Sequence, residues 1–303
     1  MSLRAFAPLS LAFLALAACS SAGEANGESQ DAVVIVDENG VIAWTKAFTD
    51  IPLGTTVSLK EDVRFETNDI SSSSSQGCTF ARSMGPSTLP ADTKLLVSGQ
   101  VSGLPVGGAH STSKLSGNWL MLRSADSKVW IGLGCASEKE KRIASSYAER
   151  SQIDGVLAFE DKKPVSACGM EAPTWIEGYK VMLGLKVVSR VEATDMSGSG
   201  FEAASLKSDA ASCLLQRTPF TKKDAKVARP KGSKFTFVGQ LADPPLVSLP
   251  GDSGRFACGT GLVVTDESNN FYTLRCTSSK QDAETFSRDD LDTVLGLSET
   301  SAP

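Results

Sequence analysis

The 303-residue sequence has little of several things that catalysis and nucleic-acid binding require. It contains one histidine and three tyrosines, and its formal net charge is -5. A single imidazole leaves little material for metal sites or acid–base catalysis, so we expect no metal and no cofactor. Nucleic acid is not expected as the main partner, because binding to phosphates needs a dominant basic surface.

The overall composition is that of an ordinary globular protein. Hydrophobic residues make up 41% of the chain and charged residues 21%. These proportions exclude collagen, a fully disordered chain and a multi-span membrane protein. The apolar run from Ala5 to Ala18 is shorter than the roughly 20 residues of a membrane span, and with Arg4 before it, it is typical of a secretory signal.

The end of this apolar run carries a specific motif. Leu16-Ala17-Ala18-Cys19 resembles the lipobox of bacterial lipoproteins. The resemblance implies that residues 1–18 are a signal peptide and that Cys19 receives a diacylglyceryl group and an N-acyl chain such as palmitate. Ser20, rather than Asp, at the next position implies the outer membrane. We therefore expect a protein held in that membrane by its acyl anchor and facing the periplasm, with exposure at the cell surface left open.

Residues 19–32 are small and polar after the cysteine and predict a flexible tether. The remaining chain contains weak internal matches that keep their order, with offsets rising from 115 to 141. They pair Gly40–Trp44 with Gly155–Phe159, Gly54–Leu59 with Gly178–Leu183, Arg64–Glu66 with Arg190–Glu192, Gly99-Gln100 with Gly239-Gln240, and Val129–Cys135 with Asn270–Cys276. We interpret them as two copies of one unit, residues 33–151 and 152–297, followed by a tail at 298–303.

Each copy contains short runs rich in aromatic and β-branched residues, separated by turn-forming residues. The predicted strands are Lys94–Val97, Trp119–Leu122, Val129–Ile131, Phe235–Val238, Leu262–Val264 and Phe271–Leu274. The predicted hairpin loops are Arg123–Lys128 and Thr265–Asn270. Capping-box patterns at 137–140 and 279–282 predict a helix after the last cysteine of each copy. The predicted fold class is mainly β, with two tandem homologous antiparallel β-domains, sandwich or barrel, each closed by a short C-terminal helix.

Six cysteines remain once Cys19 is assigned to the anchor. An even number in an exported protein predicts disulfides. The repeat places Cys78 and Cys135 at the positions of Cys213 and Cys276, which predicts the pairs Cys78–Cys135 and Cys213–Cys276. Cys168 and Cys258 then form the third pair. The sequence contains no Cys-x-x-Cys motif, which is the pattern that would indicate a redox-active thiol pair.

The strongest enzyme-like signal is Gly251-Asp252-Ser253-Gly254, which resembles the nucleophile motif of trypsin-like serine peptidases. The resemblance implies a catalytic triad of His110, Asp154 and Ser253, in the order and approximate spacing of that family. The sequence departs from the family after His110, where Ser replaces Cys, and after Gly254, where Arg255-Phe256 replaces Gly-Pro. A common surface turn is the alternative reading of the motif.

One segment is strongly basic in a protein that is acidic overall. It contains seven basic residues and one acidic residue, Asp224, so that +7 and -1 give a local charge of +6. The basic residues are Arg217, Lys222, Lys223, Lys226, Arg229, Lys231 and Lys234. Such a segment would attract an anionic component of the envelope or an acidic protein, or it is simply a solvated loop. We therefore expect a lipid-anchored envelope protein with a non-enzymatic binding or assembly role. The alternative is a lipid-anchored serine peptidase.

Overall fold

The fold follows from a long series of strand-forming segments separated by Gly, Ser, Asp and Pro turns. The computed structural model describes residues 34–37, 40–43, 46–71, 74, 76–105, 114–135, 148–169, 171–175, 184–196, 202–218, 225–244, 258–278 and 288–297. The signal peptide, Cys19, the whole tether, both predicted capping boxes, His110 and Ser253 lie outside these residues. Ala32–Pro303 forms one compact unit, distinct from Met1–Asp31.

The described residues up to 159 form ten strands and two helices. They are β1 (Val34–Asp37), β2 (Gly40–Ala43), α1 (Lys46–Thr49), β3 (Thr56–Leu59), β4 (Val63–Arg64), β5 (Cys78–Met84), β6 (Thr88–Leu89), β7 (Lys94–Pro105), β8 (Lys114–Arg123), β9 (Trp130–Cys135), α2 (Arg150–Val156) and β10 (Leu157–Phe159). We call residues 46–159 the first half.

The described residues from 184 onward are the second half, which also ends in three consecutive long strands, a helix and a short strand. Its elements are β11 (Lys186–Ser189), β12 (Ala193–Asp195), β13 (Ala203–Lys207), β14 (Ala211–Arg217), β15 (Lys234–Ala242), β16 (Thr260–Asp266), β17 (Phe271–Ser278), α3 (Arg288–Val294) and β18 (Leu295–Leu297). The protein is therefore mainly β, as predicted. Among the described residues, no helix has both the length and the apolar composition needed to cross a bilayer.

Fourteen strands join in one antiparallel sheet that runs through both halves. Its central path is β12-β13-β14-β17-β16-β15-β7-β8-β9-β5. In the first half β3 also pairs with β7 and β10 with β3, and in the second half β11 pairs with β15 and β18 with β11. The order β3-β7-β8-β9-β5 in the first half therefore matches β11-β15-β16-β17-β14 in the second, where the sheet continues to β13 and β12. The two halves share one sheet instead of forming two separate ones.

The predicted strands and hairpins are confirmed, although most strands are longer than predicted. In the first hairpin the N–H of Ser124 donates to the carbonyl of Val129 at 3.0 Å, and in the second the N–H of Asp266 donates to that of Asn270 at 3.1 Å. Ser127 and Asn269 have positive φ angles of 55° and 60° at equivalent points of the two turns. The three disulfides are also those predicted, and Cys78–Cys135 and Cys213–Cys276 each join residues directly opposite in paired strands.

Hydrogen bonding corrects the start of the repeat. The counterpart of Gly54 is Gly184, not Gly178: the N–H of Gly54 donates to Val97 at 2.8 Å and that of Gly184 to Phe237 at 2.7 Å. The φ angles of the two glycines are 80° and 82°. The predicted match was shifted by six residues because it was chosen on local sequence similarity. The hydrogen bond from Gly184 to Phe237, which identifies the counterpart, is a long-range contact that the sequence does not display.

Hydrogen bonding also corrects the predicted boundary between residues 151 and 152. That boundary falls inside α2, whose residues Ile153 and Val156 are buried in the core of the first half. The strand β10 after this helix pairs with β3, just as β18 after α3 pairs with β11. Residues 150–159 therefore end the first half and correspond to residues 288–297, whereas the predicted match to Gly40–Trp44 is wrong.

The two halves meet where β7 pairs with β15. Gln100 lies directly opposite Gln240, Gly99 opposite Leu241, and Val101 opposite Gly239. This pairing is self-complementary, as in an isologous contact: Gly99 faces the counterpart of Val101, Val101 faces the counterpart of Gly99, and Gln100 faces its own counterpart. A pseudo-twofold axis therefore passes between Gln100 and Gln240, both of which are fully buried.

The buried side chains form three clusters. One contains first-half residues together with Ala242 of β15, one lies within the second half, and the third draws from both halves. Its first-half members are Ala81, Val101, Leu104, Trp119, Met121 and Trp130, and its second-half members are Val238, Leu241, Val263 and Phe271. We call this third cluster the shared core.

Candidate functional site

The part of the chain between the two halves has no counterpart in the repeat. We call residues 160–169 and 171–175 the connector. The N–H of Val165 donates to the carbonyl of Gly54 at 3.0 Å, and Thr260 Oγ1 donates to the carbonyl of Thr174 at 2.9 Å. The connector is thus attached to the start of the first half and to β16 of the second.

A buried carboxylate holds the connector in place. Asp243 Oδ2 accepts hydrogen bonds from the Ser166 hydroxyl and the Ala167 N–H, each at 2.8 Å, and Oδ1 accepts one from the Gly259 N–H at 2.9 Å. Arg123 Nη2 of the first half lies 4.0 Å from Oδ2, and both side chains are almost completely buried. Burial lowers the pKa of the Arg123 guanidinium, and the charge of Asp243 opposes that shift.

The third disulfide lies beside this carboxylate. It joins Cys168 of the connector to Cys258, the residue before Gly259, with a Cα–Cα distance of 5.8 Å. Cys168 and Cys258 are partly exposed, whereas the other four disulfide-bonded cysteines are buried. The connector is therefore fixed by one covalent bond and by a carboxylate that accepts hydrogen bonds from Ser166 and Ala167 of the connector and from Gly259, next to Cys258.

The connector and the segment after α1 enclose a groove of about 400 Å³. Most of the side chains that line this connector groove are apolar or proline. They are Thr49, Pro52, Leu53, Lys163, Pro164, Glu171, Ala172, Pro173, Thr174 and Trp175.

Trp175 forms one wall of the connector groove. Its indole N–H donates to the carbonyl of Ile51 at 2.9 Å, and its ring packs partly against the core of the first half. The charged side chains among the described lining residues are Lys163 and Glu171, whose Nζ and Oε1 atoms lie 3.8 Å apart and exposed to solvent. Largely apolar walls with one ion pair of no net charge suit binding of an uncharged segment.

The structure does not place Asp154 as a triad carboxylate. Asp154 lies on α2, its side chain is 49% exposed, and it accepts a hydrogen bond from Arg150 Nε at 2.8 Å. A triad carboxylate is buried and orients an imidazole. His110 and Ser253, the other two predicted members, lie outside the described residues.

Most of the described cations of the basic segment have acidic partners. Arg217 is buried and pairs with Glu202, Arg229 pairs with Asp266, and Lys234 pairs with Glu267 at 3.3 Å. The exposed residues Lys226 and Lys231 complete the described part of the segment, and Lys222 and Lys223 lie outside it. An anionic partner would therefore meet a weaker positive surface than the sequence predicts.

Two of these ion pairs are built into the fold. The pair Arg217–Glu202 occupies the position that Arg82–Asp69 occupies in the first half. Arg229 lies over the ring of Tyr272, with 5.4 Å between the guanidinium carbon and the ring centroid. Burial, together with the nearby charge of Asp266, raises the pKa of Tyr272 far above its ordinary value. These cations therefore stabilise the second half instead of facing a partner.

The sequence reasoning missed the connector groove. Three of its prolines and Trp175 are visible in the sequence, and the region around Cys168 stands out as an insertion, but no motif joins it to Pro52 and Leu53. The described residues contain no group of three His, Cys, Asp or Glu side chains placed to bind a metal ion. No protein-family model matches this chain, and comparison with curated proteins and with solved structures gives no match either.

Proposed function

We propose that this protein is an exported bacterial lipoprotein that binds a partner in the cell envelope without catalysing a reaction. The lipobox-like residues Leu16–Cys19 support the anchor, and three disulfides fit an oxidising compartment. The acyl chains hold the protein in the outer membrane, facing the periplasm. The body is a pair of homologous β units fused through β7 and β15.

The connector groove is the proposed binding site, and its ligand is an extended, proline-containing peptide segment. The observation that carries this proposal is the composition of the walls: Pro52, Pro164 and Pro173 together with Trp175, and a single Lys163–Glu171 pair with no net charge. Proline-rich segments bind in grooves lined by aromatic residues because their polyproline II conformation is already ordered before binding.

This proposal predicts selective binding of a fluorescein-labelled decaproline peptide. We expect saturable binding by fluorescence anisotropy, and no binding of a labelled (Gly-Ser)5 peptide of the same length. Trp175→Ala removes a wall of the connector groove and is expected to weaken the affinity about tenfold or more. Val165→Ala is the matched control, because Val165 is an exposed apolar residue of the connector outside the groove lining. Equal affinities for wild type and Trp175→Ala would contradict the assignment.

The anchor is tested by replacing the acylated cysteine. In a bacterial host supplied with labelled palmitate, Cys19→Ser is expected to abolish incorporation of the label and to release the protein from the membrane fraction. The reason is that each buried methylene contributes about 0.8 kcal/mol to membrane attachment. Cys168→Ser serves as the control that removes a different cysteine and keeps the anchor. Membrane attachment of unlabelled Cys19→Ser would show that another segment holds the protein.

The competing proposal is a serine peptidase that uses His110, Asp154 and Ser253. The half-exposed carboxylate of Asp154, bound to Arg150, argues against it. We therefore expect no labelling of the folded, oxidised protein by a fluorophosphonate serine probe. Labelling that disappears in both Ser253→Ala and His110→Ala would establish a hydrolase and replace the binding role.

A further inference from the structure

The three disulfides of this protein are not equivalent. Cys78 is 0% exposed, Cys135 3%, Cys213 2% and Cys276 6%. Their two bonds connect β5 with β9 and β14 with β17, strands that are also held together by backbone pairing over six to seven residue pairs. Cys168–Cys258 is partly exposed and joins two segments outside any strand.

We infer that the Cys168–Cys258 disulfide is a redox-sensitive clamp on the connector groove. Access of the attacking thiolate limits thiol–disulfide exchange, so the exposed bond reacts before the buried ones. The preferential reduction of Cys168–Cys258 is inferred from the burial of the other two disulfides. The effect of that reduction on ligand binding rests on the proposed function of the groove.

The position of the bond explains why its opening would alter the groove. The residues Glu171–Trp175, which form one wall, follow Cys168 by three to seven positions. Once the bond is open, only noncovalent contacts among the described residues hold this wall. They are the hydrogen bonds of Ser166 and Ala167 to Asp243, of Thr260 to Thr174 and of Trp175 to Ile51, and the backbone bridge between Val165 and Glu171. These bonds open and close independently, whereas the covalent bond does not.

The reaction is an exchange with an envelope protein dithiol. A thiolate of the dithiol attacks one sulfur of the Cys168–Cys258 bond and forms a mixed disulfide, and the other cysteine leaves as a thiolate. The second thiol of the donor then displaces the remaining cysteine. The donor is oxidised to a disulfide, and two electrons and two protons pass to Cys168 and Cys258.

The test uses the mature, oxidised protein in a series of dithiothreitol concentrations. Each sample is quenched by alkylation, and peptide mapping then reports which cysteines were free. We expect Cys168 and Cys258 to be alkylated at concentrations that leave the other four cysteines oxidised. Alkylation of Cys78, Cys135, Cys213 or Cys276 at the same or lower concentrations would overturn the inference.

A second readout follows the connector without any ligand. In the alkylated samples a glutamyl endopeptidase is expected to cleave after Glu171 at least tenfold faster than in the oxidised protein. Glu267 is the internal control, because its side chain is 73% exposed in a turn away from the connector, against 92% for Glu171. The double variant Cys168→Ser/Cys258→Ser should show the fast cleavage without reductant and no further change with it.

The outcomes separate the clamp from the proposed ligand. Unchanged cleavage after Glu171 would overturn the clamp, since the bond would then not restrain the connector. An equal rise in cleavage after Glu267 would also overturn it, since the bond would then stabilise the whole fold and not the connector in particular. Decaproline that fails to bind the oxidised wild type, together with selective cleavage after Glu171, would contradict the proposed ligand and leave the clamp standing.

Discussion

Gly99→Ala and Gly239→Ala are each expected to lower the free energy of unfolding by about 3 kcal/mol or more, because overpacking in a tightly paired site forces backbone shifts. A Cβ atom on Gly99 would lie closer than 3.0 Å to the backbone of Gln240 and Leu241, and one on Gly239 equally close to the backbone of Gln100 and Val101. These neighbours belong to the facing strand and cannot rotate away. The clash is alike at the two sites, and Gly99→Ala adds backbone strain because the φ angle of Gly99 is 148°, so its loss should be the larger.

Gly232→Ala is the matched control for this pair. Gly232 has a φ angle of 87°, and a Cβ atom there would have no neighbour within 4 Å. Its substitution is therefore expected to cost only the backbone strain of a left-handed alanine, about 1–2 kcal/mol. Guanidinium unfolding of the oxidised variants gives the comparison. Losses at Gly99 and Gly239 no greater than that at Gly232 would contradict the described junction of β7 and β15.

Asp243→Asn is expected to lower the free energy of unfolding by about 3–5 kcal/mol, the usual cost of leaving a buried charge without its partner. The substitution removes the negative charge opposite Arg123, whose side chain is 2% exposed. It also replaces an oxygen that accepts hydrogen bonds from Ser166, Ala167 or Gly259 with an amide group that donates. Urea unfolding with the disulfides intact measures the loss.

Two further variants separate the buried charge from the other roles of Asp243. Glu267→Gln removes the acidic partner of Lys234 in an exposed pair and is expected to cost less than about 1 kcal/mol. The double variant Arg123→Met/Asp243→Asn should lose less unfolding free energy than the sum of the losses in the two single variants, because it no longer contains the Arg123 charge that Asp243 balances. Additive losses would show that Arg123 and Asp243 do not interact.

The strands and disulfides were predictable because their signals are local or repeated. Aromatic and β-branched runs such as Phe271–Leu274 specify a strand wherever they occur. The cysteine pairs at Cys78–Cys135 and Cys213–Cys276 occupy equivalent positions of the two copies, so that the repeat decided their pairing. The third pair then followed by elimination.

The connector groove and the limits of the halves were not predictable in the same way. The match of Gly54 to Gly184 depends on hydrogen bonds to Val97 and Phe237, which are distant in the sequence. The groove joins residues near 50 to residues near 170, and its wall is fixed by Asp243 at a third point of the chain. The sequence displays no local signal for such an arrangement. The acidic partners of Arg217 and Arg229 were missed for the same reason.

The shared core makes the two halves mutually dependent. Trp119 and Met121 of one half are buried together with Val263 and Phe271 of the other, so neither half contains all the contacts of its own sheet. The hydrogen bonds between β7 and β15 extend this dependence to the backbone. Heat or denaturant should therefore unfold residues 46–297 in one cooperative transition with equal calorimetric and van't Hoff enthalpies. One transition would mean that a loss of packing in either half is felt by the whole sheet.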